Sequence, residues 1–103
     1  MTESRGGVVR LAAGEIEKMI GSVPGWTLRE VAIEREFHFG NFRSAIKFVN
    51  KVADLAEEEE HHPDIFIFYN KVRLILSTHK VGGLSGKDFV LAEKIDRLAY
   101  REA

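Results

Sequence analysis

The sequence lacks cysteine altogether, and its 103 residues contain only two prolines. The first absence excludes disulfide bonds, thiolate nucleophiles and cysteine-ligated zinc. The chain also lacks an excess of charge, because 15 basic and 16 acidic residues nearly cancel and the basic ones are scattered. This balance argues against a nucleic-acid-binding surface. No signal peptide is visible and no apolar run approaches the ~18 residues of a membrane span, so we expect a cytoplasmic protein that does not bind membranes.

The composition is that of one small folded domain. Apolar residues make up 45% of the chain and aromatic residues 10%, enough for a packed core without disulfides or a structural metal. A chain this short has no room for separate cofactor-binding and substrate-binding lobes. We therefore predict a flexible N-terminus at residues 1–10 and a single domain at residues 11–103.

Hydrophobic periodicity and turn residues predict an α+β fold with the element order αββαββα. Alternating apolar residues mark the strands, and apolar residues at helical spacing mark the helices. Two hairpins separated by a long helix predict a four-stranded antiparallel sheet with helices packed on one face. The predicted ranges are helices at 12–21, at 42–60 and from 86 onward, and strands at 26–29, 31–39, 65–69 and 72–79, with Asn70 and Lys71 forming the second hairpin turn.

The sheet face away from the helices is predicted to be unusually apolar, because Phe66, Phe68 or their neighbours must point there. Such a surface often marks contact with another protein, so we expect a homodimer or homotetramer. On the second strand Glu34, Glu36 and His38 alternate with core residues, which places His38 in solvent.

The other three histidines lie at ends of elements that the fold should bring together. His61 and His62 follow the long helix, and Pro63 prevents that helix from continuing. The hairpin that follows leaves this corner and returns antiparallel, so His79 should end beside the pair. On the returning strand Thr78 shares the face of the apolar residues, and His79 lies on the opposite face. Because imidazole both donates and accepts protons near neutral pH, the cluster favours proton-transfer chemistry.

Carboxylates accompany the histidines in the sequence. Glu57 precedes His61 by one helical turn and Glu60 adjoins it, so either could orient a histidine ring. Asp88 follows Ser85 at capping-box spacing, which makes support of the last helix as reasonable as a chemical role. Taken singly, each histidine could also be a solvated residue at the end of an element.

A zinc site is the main alternative from the residue types alone, because three histidines and a glutamate could bind the ion and activate water. The spacing does not favour that alternative. Adjacent residues in an extended backbone point apart, and neither His-x3-His nor His-Glu-x-x-His occurs in the chain.

Together these residues resemble the signature of the pterin-4a-carbinolamine dehydratases. The resemblance covers most of the chain after Trp26, is weaker before it, and includes the predicted order of helices and strands. It extends through Gly82-Gly83-Leu84-Ser85 to the start of the last helix. The matching signature positions are Glu57, His61, His62, Pro63, Tyr69, His79 and Asp88.

The resemblance implies dehydration of a 4a-hydroxytetrahydropterin to a quinonoid dihydropterin in tetrahydrobiopterin recycling, with no metal or organic cofactor. His61 and His79 would be general acids toward the leaving hydroxyl, while His62 would hold the pterin and handle a ring proton. Glu57 and Asp88 would support the site. A link to an aromatic amino-acid hydroxylase, which forms the hydroxylated pterin, is also implied. The implied pterin contacts are Glu60, His61, His62, Ser77, Thr78, His79 and Lys80.

Two features leave the biological role open. Lys80 and Val81 replace the smaller or acidic residues expected after His79, and could change which pterin side chain is accepted. Animal members of the family also act as dimerisation cofactors of a homeodomain transcription factor, so a non-catalytic protein-binding module is the alternative function. Alanine at His61 and His79 would leave such a binding role intact.

Overall fold

The structure is a computed structural model that describes residues 8–102, with side chains described up to residue 100. Its element order is αββαββα, which confirms the α+β class predicted from the sequence. The helices are α1 (Ala13–Ile20), α2 (Phe42–Glu59) and α3 (Gly86–Glu102), the strands are β1 (Thr27–Arg29), β2 (Ala32–His38), β3 (Asp64–Phe68) and β4 (Lys71–Leu76), and a 3-10 helix covers His79–Val81.

The four strands form one antiparallel sheet in the order β1-β2-β4-β3. β4 is therefore a central strand, and its register pairs Val72 with Phe37 on β2 and with Ile67 on β3. Side chains alternate between the two faces of a strand. On β4 this alternation leaves Val72, Leu74 and Leu76 fully buried beneath the helices, where they form the floor of the core.

Helix α2 packs on the sheet, begins after a capping residue and ends at a residue with left-handed backbone. The side chain of Asn41 caps it by accepting a hydrogen bond from the backbone N–H of Ser44 at 2.8 Å. At its other end Glu60 adopts a left-handed conformation, and Pro63 follows. The buried face of the helix recurs every three or four residues and consists of Ala45, Phe48, Val52 and Ala56.

A polar cluster joins helix α3 to the sheet. Asp96 accepts hydrogen bonds from the indole N–H of Trp26 and from the guanidinium of Arg35, each at 2.9 Å. The guanidinium also lies 4.7 Å from the ring centroid of Phe37. Arg35, the one charged residue in the apolar alternation of β2, is therefore paired where it meets the core.

The second hairpin turns one residue earlier than the sequence predicted. Phe68 pairs with Lys71, so the turn consists of Tyr69 and Asn70 instead of Asn70 and Lys71. Tyr69 takes the left-handed conformation that the tight turn requires, with φ of 56°. The side chain of Asn70 donates to the carbonyl of Phe39 at 2.9 Å, which fixes the turn against the end of β2.

The outer face of the sheet carries both apolar and charged side chains. Phe66 and Phe68 lie on this face as predicted, 40% and 48% exposed, but charged residues of all four strands share it, so the face is less apolar than the sequence predicted. The guanidinium of Arg73 lies over both rings, and Glu36 is its partner in the β2–β4 register. His38 is exposed, as predicted, and pairs with Glu36 at 3.0 Å. Oligomerisation through this face stays a prediction.

The start of the described chain is attached to the domain. The backbone N–H of Leu11 donates to the carbonyl of Leu84 at 2.8 Å. Residues 1–7 of the predicted flexible N-terminus lie outside the described residues, and the division at residue 10 stays a prediction. Between residues 8 and 102, every helix is too short or too polar to cross a lipid bilayer.

Candidate active site

A pocket of about 260 Å³ lies where the end of α2 meets the turn after β4. All three histidines of the predicted cluster line this pocket, so the hairpin returns the chain as expected. The remaining pterin contacts implied by the resemblance line it too. Its walls are formed by Val8, Glu60, His61, His62, Ser77, Thr78, His79, Lys80 and Lys87. The chemical roles of these residues stay predictions.

Larger depressions in the described part of the chain lack this convergence of imidazoles. One of about 550 Å³ lies between α2 and α3, and its walls contain no histidine. Another of about 470 Å³ lies between β2 and the C-terminal part of α3 and contains His38 alone among the histidines. Size alone therefore does not identify the site, whereas proton-transfer groups do.

The backbone conformation at the end of α2 orients His61 and His62. The N–H of Glu60 donates to the carbonyl of Glu57 at 3.2 Å, and the N–H of His61 donates to the carbonyl of Ala56 at 3.0 Å. Glu60 itself has φ of 54°, a left-handed conformation that costs a non-glycine residue ~1–2 kcal/mol. The chain leaves the helix sharply at this residue, so both imidazoles lie beyond the helix end.

His61 is held by a buried carboxylate. Its Nε2 lies 2.5 Å from Oδ1 of Asp88, and the two side chains are 10% and 0% exposed. A carboxylate only accepts hydrogen bonds, so Nε2 carries the proton in this contact. Nδ1 of His61 has no partner among the described residues and is the nitrogen that remains for a ligand in the pocket.

Asp88 makes the helix-capping contact that its spacing predicts and also contacts a pocket histidine. Its Oδ2 accepts a hydrogen bond from the backbone N–H of Ser85 at 3.0 Å, as in a capping box at the start of α3. The same oxygen accepts one from the hydroxyl of Thr78 at 2.8 Å. Its second oxygen binds His61. A residue in the first turn of helix α3 therefore also contacts a histidine of the pocket.

His62 pairs with Glu57 in a more open setting. Nε2 of His62 lies 2.6 Å from Oε2 of Glu57, and the side chains are 61% and 77% exposed. A solvated pair of this kind contributes ~1 kcal/mol or less, so it orients the ring only weakly. Glu57 lies outside the pocket wall and reaches the site only through this contact.

His79 begins the 3-10 helix instead of ending a strand as predicted. β4 stops at Leu76, because Thr78 forms an isolated bridge with Gly83, its N–H donating to that carbonyl at 2.8 Å. The loop between them closes with Gly82 at φ of 68°, and the N–H of Gly82 donates to the carbonyl of His79 at 3.0 Å. This tight loop places an exposed imidazole at the mouth of the pocket.

Two pocket residues were missed by sequence reasoning. Val8 belongs to the segment before α1, which the bond from Leu11 to Leu84 attaches to the domain. Lys87 adjoins Asp88 in the first turn of α3, a position that could have been noticed once Asp88 was considered. Within the described residues, no three histidine, aspartate or glutamate side chains are grouped to hold a metal ion.

Comparisons with known proteins agree on one family. The family model described as pterin 4 alpha carbinolamine dehydratase matches residues 9–98. A protein of Thermomicrobium roseum, provisionally named pterin-4-alpha-carbinolamine dehydratase, is 47% identical over 92 residues, which cover 89% of this chain and 99% of the relative.

Two solved structures share the fold. A transcriptional coactivator/pterin dehydratase from Brucella melitensis has a TM-score of 0.84 and 33% identity, covering 88% of this chain and 99% of its own. A pterin dehydratase-like protein identified as a RuBisCO assembly factor in the alpha-carboxysome has a TM-score of 0.60 and covers 72% of this chain and 86% of its own. At 24% identity the second structure supports the fold alone.

Proposed function

The chain belongs to the pterin-4a-carbinolamine dehydratase family, and we propose that it removes water from a 4a-hydroxytetrahydropterin by proton transfer through histidines of its pocket. The family supports a pterin dehydratase. Histidine catalysis and a place in tetrahydrobiopterin recycling are our proposals. The observation that carries them is the convergence of His61, His62 and His79 in one pocket, with His61 held by a buried carboxylate.

The proposed reaction needs only an acid and a base. The C4a–O bond breaks, the leaving hydroxyl takes a proton from an imidazole and departs as water, and a proton is lost from a ring nitrogen. The product is a quinonoid dihydropterin, with no net oxidation or reduction. Each positioned acid or base typically contributes ~10²–10⁴-fold.

The three imidazoles differ in ways that support a division of these roles. His61 is almost buried and fixed by Asp88, which suits an imidazolium that keeps one proton on Nε2 toward the carboxylate and gives the other, on Nδ1, to the leaving hydroxyl. The imidazole of His79 is exposed and lines the pocket with no hydrogen-bond partner among the described residues, which suits a second acid that meets the substrate as it enters. We assign to His62 the removal of the proton from the pterin ring nitrogen, because the imidazole of His62 stays exposed to solvent while it is paired with Glu57.

The test is dehydration of enzymatically generated 4a-hydroxytetrahydropterin, followed as the appearance of quinonoid dihydropterin with chelator-treated protein. His61→Ala with His79→Ala should reduce kcat by at least ~10²-fold, the contribution of one acid. His38→Ala is the matched control, because His38 is an exposed histidine outside the pocket and should leave turnover unchanged. Full activity in a folded double variant would refute histidine catalysis.

A protein-binding role remains the alternative function. The structural neighbour from Brucella melitensis is described as a transcriptional coactivator as well as a pterin dehydratase. The chain also exposes Phe42 at the start of α2, beside a shallow groove of about 240 Å³. Absence of turnover in folded wild-type protein, with no effect of His61→Ala on the biological role, would favour this alternative.

A further inference from the structure

The hydroxyl of Thr78 is engaged inside the protein, although Thr78 lines the pocket. Its Oγ1 lies 2.8 Å from Oδ2 of Asp88 and 2.7 Å from Oγ of Ser85. All three residues are buried, with 6% exposure for Thr78, 1% for Ser85 and 0% for Asp88. The resemblance implies contact of Thr78 with the pterin, but these hydrogen bonds already occupy its hydroxyl.

The direction of every hydrogen bond in this group follows from the donors present. The backbone N–H of Lys87 donates to Oγ of Ser85 at 3.3 Å. Thr78 has one hydroxyl hydrogen and gives it to Asp88, because an ionised carboxylate only accepts. The hydroxyl of Ser85 must then donate to Thr78 across their 2.7 Å contact. The hydrogen bonds therefore run from the backbone N–H of Lys87 to Ser85, from Ser85 to Thr78, and from Thr78 to Asp88.

This series of hydrogen bonds ends at the pocket histidine. Oδ2 of Asp88 receives two hydrogen bonds, one from Thr78 and one from the backbone of Ser85. With Oδ2 fixed by two donors, the plane of the carboxylate is set and Oδ1 faces Nε2 of His61 at 2.5 Å. Removing one donor would free the carboxylate to rotate and loosen the imidazole that it holds.

We propose that Thr78 and Ser85 are positioning residues, whose hydroxyls hold Asp88 and through it orient the ring of His61. The inference deepens the proposed dehydration and rests on it for its kinetic consequences. In this role Thr78 does not bind the substrate. Its hydroxyl faces into the protein and affects kcat through Asp88 and His61. Thr78 lies two residues beyond the end of β4 and is buried like Leu76, which is consistent with this role.

The kinetic test compares Thr78→Val, which keeps the shape and removes the hydroxyl, with Thr78→Ser, which keeps the hydroxyl. Thr78→Val should lower kcat by about tenfold, equivalent to ~1.4 kcal/mol, with KM within about twofold of wild type. Thr78→Ser should restore most of kcat. If Thr78 instead binds pterin through its hydroxyl, Thr78→Val raises KM and leaves kcat unchanged, which overturns the proposal.

A double-variant cycle tests whether Thr78 acts through Asp88. In an Asp88→Asn background, Thr78→Val should lower kcat by less than about twofold, because the carboxylate that it positions is already gone. An undiminished tenfold effect there would show that Thr78 acts by another route. Should Thr78→Val not fold, Ser85→Ala removes the outer hydroxyl alone and is expected to lower kcat in the same direction by a smaller factor; an unchanged kcat would contradict the proposal.

A measurement without substrate separates this inference from the proposed function. In ¹⁵N-histidine-labelled protein, Thr78→Val should shift the ring nitrogen resonances of His61, assigned with His61→Ala, and leave those of His38 unchanged. If the wild-type protein is inactive toward the pterin but Thr78→Val still shifts the His61 resonances, the proposed dehydration is refuted and the positioning network is supported. Unchanged His61 resonances in folded Thr78→Val would refute the network, whatever the activity.

Discussion

Replacing Asp88 by asparagine tests the connection between the fold and the chemistry most directly. The amide is nearly the same shape as the carboxylate, and its single oxygen can still accept from Thr78 and from the N–H of Ser85. Its NH₂ group then faces Nε2 of His61 at the position where the carboxylate accepted a hydrogen bond. The imidazole must then present a lone pair at Nε2 and hold its one proton on Nδ1. The variant therefore disfavours the doubly protonated ring that we propose as the acid, in an otherwise similar site.

The cost in stability follows from the negative charge that is lost, because the hydrogen bonds of an ionised carboxylate become those of a neutral amide. One hydrogen bond to a charged group is worth ~1.5–3 kcal/mol. A negative charge in the first turn of a helix adds ~0.3–1 kcal/mol. We expect Asp88→Asn to lower the free energy of unfolding by about 2–4 kcal/mol. Asp88→Ala should cost a further ~1–3 kcal/mol, because it also leaves a buried donor of Thr78 or Ser85 unpaired.

The effect on catalysis should be separable from this loss of stability. Removal of a carboxylate behind a functional histidine typically costs about 10- to 100-fold in activity, and we expect that decrease in kcat for Asp88→Asn. Urea unfolding followed by circular dichroism gives the free energy, and stopped-flow dehydration under conditions where the variant is fully folded gives kcat. Wild-type kcat in folded Asp88→Asn would refute the role of Asp88 in orienting His61.

Three further predictions concern other parts of the molecule. Glu57→Gln should change the free energy of unfolding by less than ~1 kcal/mol, since its pair with His62 is exposed, and the change should shrink in 1 M salt. Asp96→Asn should cost ~1–3 kcal/mol in urea unfolding because it weakens the bonds from Trp26 and Arg35, while kcat measured on folded protein should not change. Treatment with a chelator should leave turnover unchanged, because the proposed proton transfers need no metal; a loss restored by zinc would contradict this.

The candidate site could be predicted in part. Sequence reasoning identified the three histidines and the meeting of His79 with His61 and His62. In a hairpin the second strand ends beside the start of the first strand, which here follows the histidine pair. The contact between His61 and Asp88 spans 27 positions, and the sequence did not predict it. No periodicity couples the end of α2 to the start of α3, so only packing reveals which carboxylate reaches which ring.

The fold was more predictable than its turns. Apolar alternation on β2 and β4 appears where the periodicity placed it. The hairpin turn at Tyr69 and Asn70 was placed one residue too late, and the 3-10 helix at His79–Val81 was missed. Both depend on pairing across the sheet, Phe68 with Lys71 and Thr78 with Gly83, which local propensity does not encode.

The sequence by itself determined the class of fold, the order of the elements and the residue types at the site, because hydrophobic period and turn chemistry act between near neighbours. Only the tertiary structure decided that the hydroxyl of Thr78 faces Asp88, that Asp88 both caps α3 and holds His61, and that Val8 lines the pocket. These facts depend on the distances between elements far apart in the chain, which are fixed when α3 packs beside α2 and over the sheet.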